Sequence, residues 1–162
     1  MNNKFELIKT DTNLVNGKTL YRIKALIMIG STVAVGDLGG YIETEENLAF
    51  TGDAWIYDNA CVCDNARISG NAHVHGNAII FDNAHILDNA SVFGNSLVYG
   101  YARVFENAFV SGYGIVSGRA HIHGNASVFG NSLVYGNAVV YGNAVVPGHA
   151  QIFGNDTISE KK

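Results

Sequence analysis

The chain has 162 residues, 48% of them hydrophobic and 15% charged, with a formal net charge of −4. The acidic balance argues against nucleic acid as the partner, and the apolar run at residues 25–29 is far too short to span a bilayer. No signal peptide is read. The two cysteines, Cys61 and Cys63, stand two apart on one expected strand and are poorly placed to bridge each other, so a reducing, cytoplasmic location is expected.

Residues 1–45 are read as an N-terminal β-hairpin cap. Residues 5–9 and 20–29 have strand character, and Asn16-Gly17 makes a hairpin corner between Leu14-Val15 and Thr19-Leu20. The glycine-rich segment Gly36-Asp37-Leu38-Gly39-Gly40-Tyr41-Ile42-Glu43 has neither a Walker lysine nor GxGxxG spacing, so it reads as a structural turn rather than a phosphate loop. Residues 46–51 fit a degenerate repeat with Leu48 and Phe50 inside. This unit is expected to cover the first coil, whose open end would otherwise present unpaired backbone.

A six-residue repeat, Gly/Asp-Asn-Ala-x-Val/Ile-x, then runs seventeen times without insertion over residues 52–153. Its fifth position is always aliphatic, and its third is Ala except at Ser96, Gly114 and Ser132. Two inward positions two apart require strand geometry. Aliphatics at i, i+6 and i+12 do not stay on one face of a helix. Gly or Asp followed by Asn supplies residue types that tolerate a left-handed corner. A short fixed period means a solenoid. The β-helix is read over residues 46–153, with a polar C-terminal tail at 154–162.

This pattern resembles the hexapeptide repeat of the left-handed parallel β-helix, best known from bacterial acyltransferases. The resemblance implies an all-β triangular solenoid with three hexapeptides per coil, and left-handedness is implied by it alone. One departure is that Gly comes two residues after the aliphatic, as in Val74-His75-Gly76, not immediately after it. Leu20-Tyr21-Arg22-Ile23-Lys24-Ala25 and the glycine-rich segment, running into Gly-Asn-Ala repeats, further resemble a phage- and prophage-associated, YdcK-like family labelled as putative transferases or polymer-forming proteins. That resemblance implies a phage-linked role in the host cell cytoplasm.

With eighteen residues per coil, outward positions stack in columns about 4.8 Å apart. One face presents Ile79, Phe81, Leu97, Tyr99, Ile115, Leu133, Tyr135 and Phe153 and is apolar almost end to end. It is expected to be an oligomer interface, of a dimer or trimer. A second face alternates Arg67, His85, Arg103 and His121. Tyr101, Tyr113 and Arg119 replace corner asparagines nearby, so Arg67, His85, Tyr101, Arg103, Tyr113, Arg119 and His121 are the candidate binding residues for an anionic ligand or an acidic protein.

All six histidines lie in the repeat. The pairs His73/His75 and His121/His123 project side by side, a spacing suited to metal chelation or general base chemistry. Neither pair has an evident third ligand, and no loop interrupts the array to build a pocket. No catalytic residue, metal or cofactor is therefore expected. The expectation is a rigid, non-catalytic binding or assembly scaffold, with a host defence protein as a specific candidate partner. The alternative is an acyltransferase-like or metal-dependent enzyme with sites at subunit seams, carried by His121 and His123.

Overall fold

The computed structural model describes residues 2–160 and is a β-solenoid of about seven stacked coils. Each hexapeptide contributes a two-residue strand on its fourth and fifth positions, from Trp55–Ile56 to Thr157–Ile158. Strands eighteen residues apart pair in parallel, as in Arg67↔His85 and Leu97↔Ile115. The strands sort into three walls, named here in chain order from Trp55–Ile56, Cys61–Val62 and Arg67–Ile68.

The fifth-position Val and Ile side chains and the third-position Ala side chains are 0% exposed along nearly the whole array. Where Ser96 and Ser132 replace Ala, each hydroxyl donates to a backbone carbonyl, of Phe93 and Phe129 respectively, so the buried polar atom is satisfied. Both serines lie in an identical twelve-residue stretch, residues 89–100 and 125–136, which recurs two coils apart.

The corners divide their work between two positions. Only the first position takes the left-handed backbone: every Gly there has positive φ, and so do Asp58, Asp64, Asp82, Asp88 and Glu106, at 56° to 59°. The acids are not simply tolerated. Each carboxylate accepts the first-position amide of the next coil, as Asp58 does from Gly76 at 3.0 Å and Glu106 from Gly124 at 2.6 Å. The asparagines at the second position instead build ladders, with Asn71 donating to Asn89 and Asn89 to Asn107.

The N-terminal unit departs from the expected outline in several places. Strand β1 (Phe5–Val15) and strand β2 (Lys18–Ala25) form the hairpin over the Asn16-Gly17 corner. Both corner residues have positive φ, the geometry of a two-residue hairpin turn. The segment expected to be a turn is strand β3 (Leu38–Ile42), antiparallel to β2 and parallel to Cys61–Val62. The hairpin thereby extends the second wall to nine strands. Glycine is required in β3 by proximity: a Cβ at Gly39 would lie 2.5 Å from the Ile56 carbonyl, and one at Gly40 2.4 Å from that of Ala60. Leu48 is buried and bridges to Ile68, but Phe50 is 40% exposed and packs sideways on Phe5.

The first coil is closed by side chains. Lys4, only 1% exposed, donates to the carbonyls of Ala49 and Ala54. Buried Asn47 donates to Asp64 and Ala66 carbonyls and accepts the amides of Glu43 and Thr44. At the far end the repeat runs past Phe153: within the expected polar tail, Thr157–Ile158 pairs with Val139–Val140 on the third wall. Lys161 and Lys162 of that tail lie outside the described residues.

Candidate functional site

The third wall brings the basic column into register. Arg67, His85, Arg103, His121 and Val139 are successive Cα partners on parallel strands, because the uninterrupted eighteen-residue period leaves nothing to shift them. Arg67 and Arg103 are exposed, while His85 and His121 are half-buried between them. Burial first, and then the neighbouring arginines, push the pKa values of His85 and His121 below the ordinary imidazole range. At neutral pH the column therefore alternates guanidinium cations with uncharged imidazoles.

Sixth-position side chains run beside the column as an aromatic stack. Phe105 and His123 lie parallel at 4.7 Å between ring centroids, and His123 and Tyr141 at 5.5 Å. The Arg103 guanidinium sits 5.5 Å from the Phe105 ring centroid, and the His123 Nδ1 is 3.4 Å from a Glu106 carboxylate oxygen. Tyr101 and Arg119 occupy successive places in one corner ladder, where asparagines elsewhere bond, and Arg119 stacks on the Tyr101 ring at 5.8 Å. Their positions join them to Arg103 and His121. Tyr113 stands at a different corner, between the first and second walls, and is not brought to this patch. Arg67, at the capped end, shares a hollow of about 220 Å³ with Glu46, Asp64 and His85, and Glu106 stands at the corner that follows Arg103. Among the described residues, no carboxylate pairs with Arg67, Arg103 or Arg119.

The second wall holds the apolar column. Cys61 and Cys63 are covered by the hairpin, with Leu20 and Tyr41 against them and Asn13 donating to the Cys61 sulfur. Burial pushes the Cys63 thiol up to about 12, so it is a buried packing group rather than a nucleophile. Ile79 and Phe81 pack against the edge of this cover, Leu97, Tyr99, Ile115 and Leu133 beyond it are half-buried, and Tyr135 and Phe153 are 38% and 49% exposed. Phe81 stacks on Tyr99 at 4.8 Å and Tyr135 on Phe153 at 5.4 Å, with buried Ser117 breaking the run.

The first wall carries His73 and His75, whose surroundings no repeat position announces. Tyr57 meets both rings edge-on, at 5.4 and 6.0 Å between centroids. Trp55, an outward residue, is only 1% exposed and belongs to the same buried cluster as Ile29 and Val33. An outward tryptophan at the start of an array, beside the apolar run at residues 25–29, is the signal that could have revealed this cover. His121 and His123 stand on the third wall, and no three His, Cys, Asp or Glu side chains among the described residues gather as a metal site. No helix among them is long and apolar enough to cross a membrane.

The family model described as the YdcK β-solenoid repeat matches residues 62–76 and 134–148, each stretch starting on an inward valine and ending on a corner glycine. A comparison with the curated proteins gives no match. The chain is a repeat β-solenoid, similar to the YdcK repeat in those two stretches.

Proposed function

We propose that the protein is a rigid, non-catalytic binding scaffold whose third wall docks an acidic surface of a partner protein. The observation that carries this is the in-register column of Arg67, His85, Arg103 and His121, with no carboxylate paired to its arginines among the described residues. Unpaired guanidinium groups on a rigid lattice lose little freedom on binding, and neutral imidazoles between them add hydrogen-bonding capacity without repulsion. The phage-like resemblance of the N-terminal segment favours a host protein, one that acts in defence, as the partner. The apolar second wall supports a further part of the same reading, self-association of the scaffold into a small homo-oligomer.

The experiment is a paired one. Affinity capture from lysate of the host is run with the wild type and with Arg103→Ala/Arg119→Ala, beside titration with a poly-glutamate probe. Loss of both the captured protein and the poly-glutamate binding, with β circular dichroism intact, is the expected result. Capture that survives the double substitution refutes the third wall as the docking surface.

A further inference from the structure

On the first wall, residues 26–36 leave β2, double back through the Ile29–Val33 bridge and lie over the first rung. They stop short of the next rung. Two hollows of about 300 and 320 Å³ open there and adjoin at Thr32 and His73, together making a trough. Its floor is Tyr57, His73 and His75, and the Tyr57 hydroxyl lies 3.3 Å from that of Thr32.

The charged side chains that line this trough are both acidic, although the Arg22 guanidinium lies nearby, donating to the Asp58 carbonyl at 3.1 Å. Residues 26–36 bring no charged side chain. Asp53 and Asp58, at opposite ends of the stretch that carries Tyr57, line the two halves. Asp58 accepts the Gly76 amide with one oxygen, which leaves the other free. His73 and His75 are held below the ordinary imidazole range by burial, against the opposing pull of Asp53 and Asp58 respectively, so each offers a neutral ring with an acceptor nitrogen. Lys4 feels the Asp53 charge, but its ammonium is buried and committed to the Ala49 and Ala54 carbonyls.

We propose that this trough binds an organic cation, a guanidinium or alkylammonium group, seated against Tyr57 beside the Asp58 carboxylate, with Asp53 lining the adjoining hollow. An aromatic ring with a carboxylate beside it stabilises a partly desolvated cation, through the ring quadrupole and charge-assisted hydrogen bonds. Anions are repelled by both carboxylates. A single metal ion lacks a set of three ligands among the described residues. The uncharged loop supplies the apolar side of the trough, which suits the methylene stem that such cations carry. The cation can come from a free polyamine or from an arginine side chain of a protein, and the chemistry recognised is the same.

The test is calorimetric titration at pH 7.5 with agmatine, spermidine and N-acetyl-arginine amide, and with an uncharged alcohol of matching length. Saturable binding of at least one cation and none of the alcohol is expected. Asp53→Asn/Asp58→Asn should weaken it about tenfold or more, and Asn tolerates the left-handed backbone at 58. Tyr57→Leu, which keeps the loop packed, should weaken it severalfold. Spermidine binding without the arginine amide marks a free polyamine, and the reverse marks a protein side chain. No saturation by any cation, equal binding of the alcohol, or cation binding unchanged in both the asparagine and the leucine variants overturns the proposal. Arg103→Ala leaves this binding unchanged, so its outcome is separate from that of the third wall.

Discussion

In the repeat, each coil is completed by the next one: amides of one turn reach carbonyls seventeen residues on, and inward Ala, Val and Ile fill the core with no individual contact that matters more than its neighbours. In the first 51 residues closure depends on single side chains. Lys4 and Asn47 take the carbonyls that no preceding coil can serve, and Arg22 ties Asp11, Gly39 and Tyr41 together across the hairpin. A periodic structure distributes its stability, whereas its end must concentrate it.

The sharpest way to break that comparison is inside the array. Val104→Asp puts an unpaired charge in a core where Val104 is 0% exposed, and should destabilise the protein by more than about 4 kcal/mol, melting the central coils. The neighbouring Arg103→Ala should change stability by only about 0.5 kcal/mol. Thermal denaturation followed by circular dichroism checks both, and equal losses would mean that inside and outside have been misassigned.

At the capped end, Lys4→Met keeps the stem and leaves two buried carbonyls without a donor. Relief of the buried ammonium offsets part of this, so the net loss is about 2 kcal/mol. Hydrogen exchange should localise it to the first coil, with the distal coils still protected. Uniform loss of protection would show that cap and array unfold as one unit.

Acidification should act more weakly and on the array alone. His73, His75, His85 and His121 have pKa values lowered by burial, so their folded state resists protonation. Stability is full above the unfolded value of about 6.5 and is lost as pH falls through that value towards the lowered folded ones. The melting temperature should drop between pH 7.5 and pH 5.5, and substituting the four histidines by glutamine should flatten the profile. An unchanged profile would remove the four histidines as its cause.

The smallest effect on stability is expected on the second wall. Leu97→Lys/Leu133→Lys should leave the melting temperature within a few degrees and yet dissolve a wild-type oligomer into monomers in light scattering. A wild type that is already monomeric at high micromolar concentration refutes the intersubunit role of this wall.

The array was legible because its period is strict. Once Val62, Val74 and Val104 are placed inside, every outward column follows, and Arg103 falls beside His85 and His121 by arithmetic. Position by position, however, the corner needed coordinates. Sequence reading spread left-handed tolerance over both corner residues, while the backbone assigns it to the first and gives the asparagine to the ladder. The cap was only partly readable, since no period constrains it. The roles of Lys4 and Asn47 depend on contacts 45 and 17 or more residues away, and Gly39-Gly40 are glycines because of the backbone they press against. Likewise, His73 and His75 were visible as a pair, but the trough around them exists only because residues 26–36 fold back over Trp55.

The duplicated stretch at residues 89–100 and 125–136 allows two coils to be deleted without creating a new junction in the protein. An exchange between the two copies removes residues 101–136 in frame, two whole coils, and joins Gly100 to Asn137 with no foreign junction. The rungs that meet are already compatible, and Asn83 would come to lie over Asn137, restoring the asparagine ladder that Tyr101 and Arg119 interrupt. What leaves with the excised coils is Tyr101, Arg103, Arg119 and His121. The residues that distinguish the third wall are thus carried on a cassette that can be lost or duplicated without redesigning the scaffold around it.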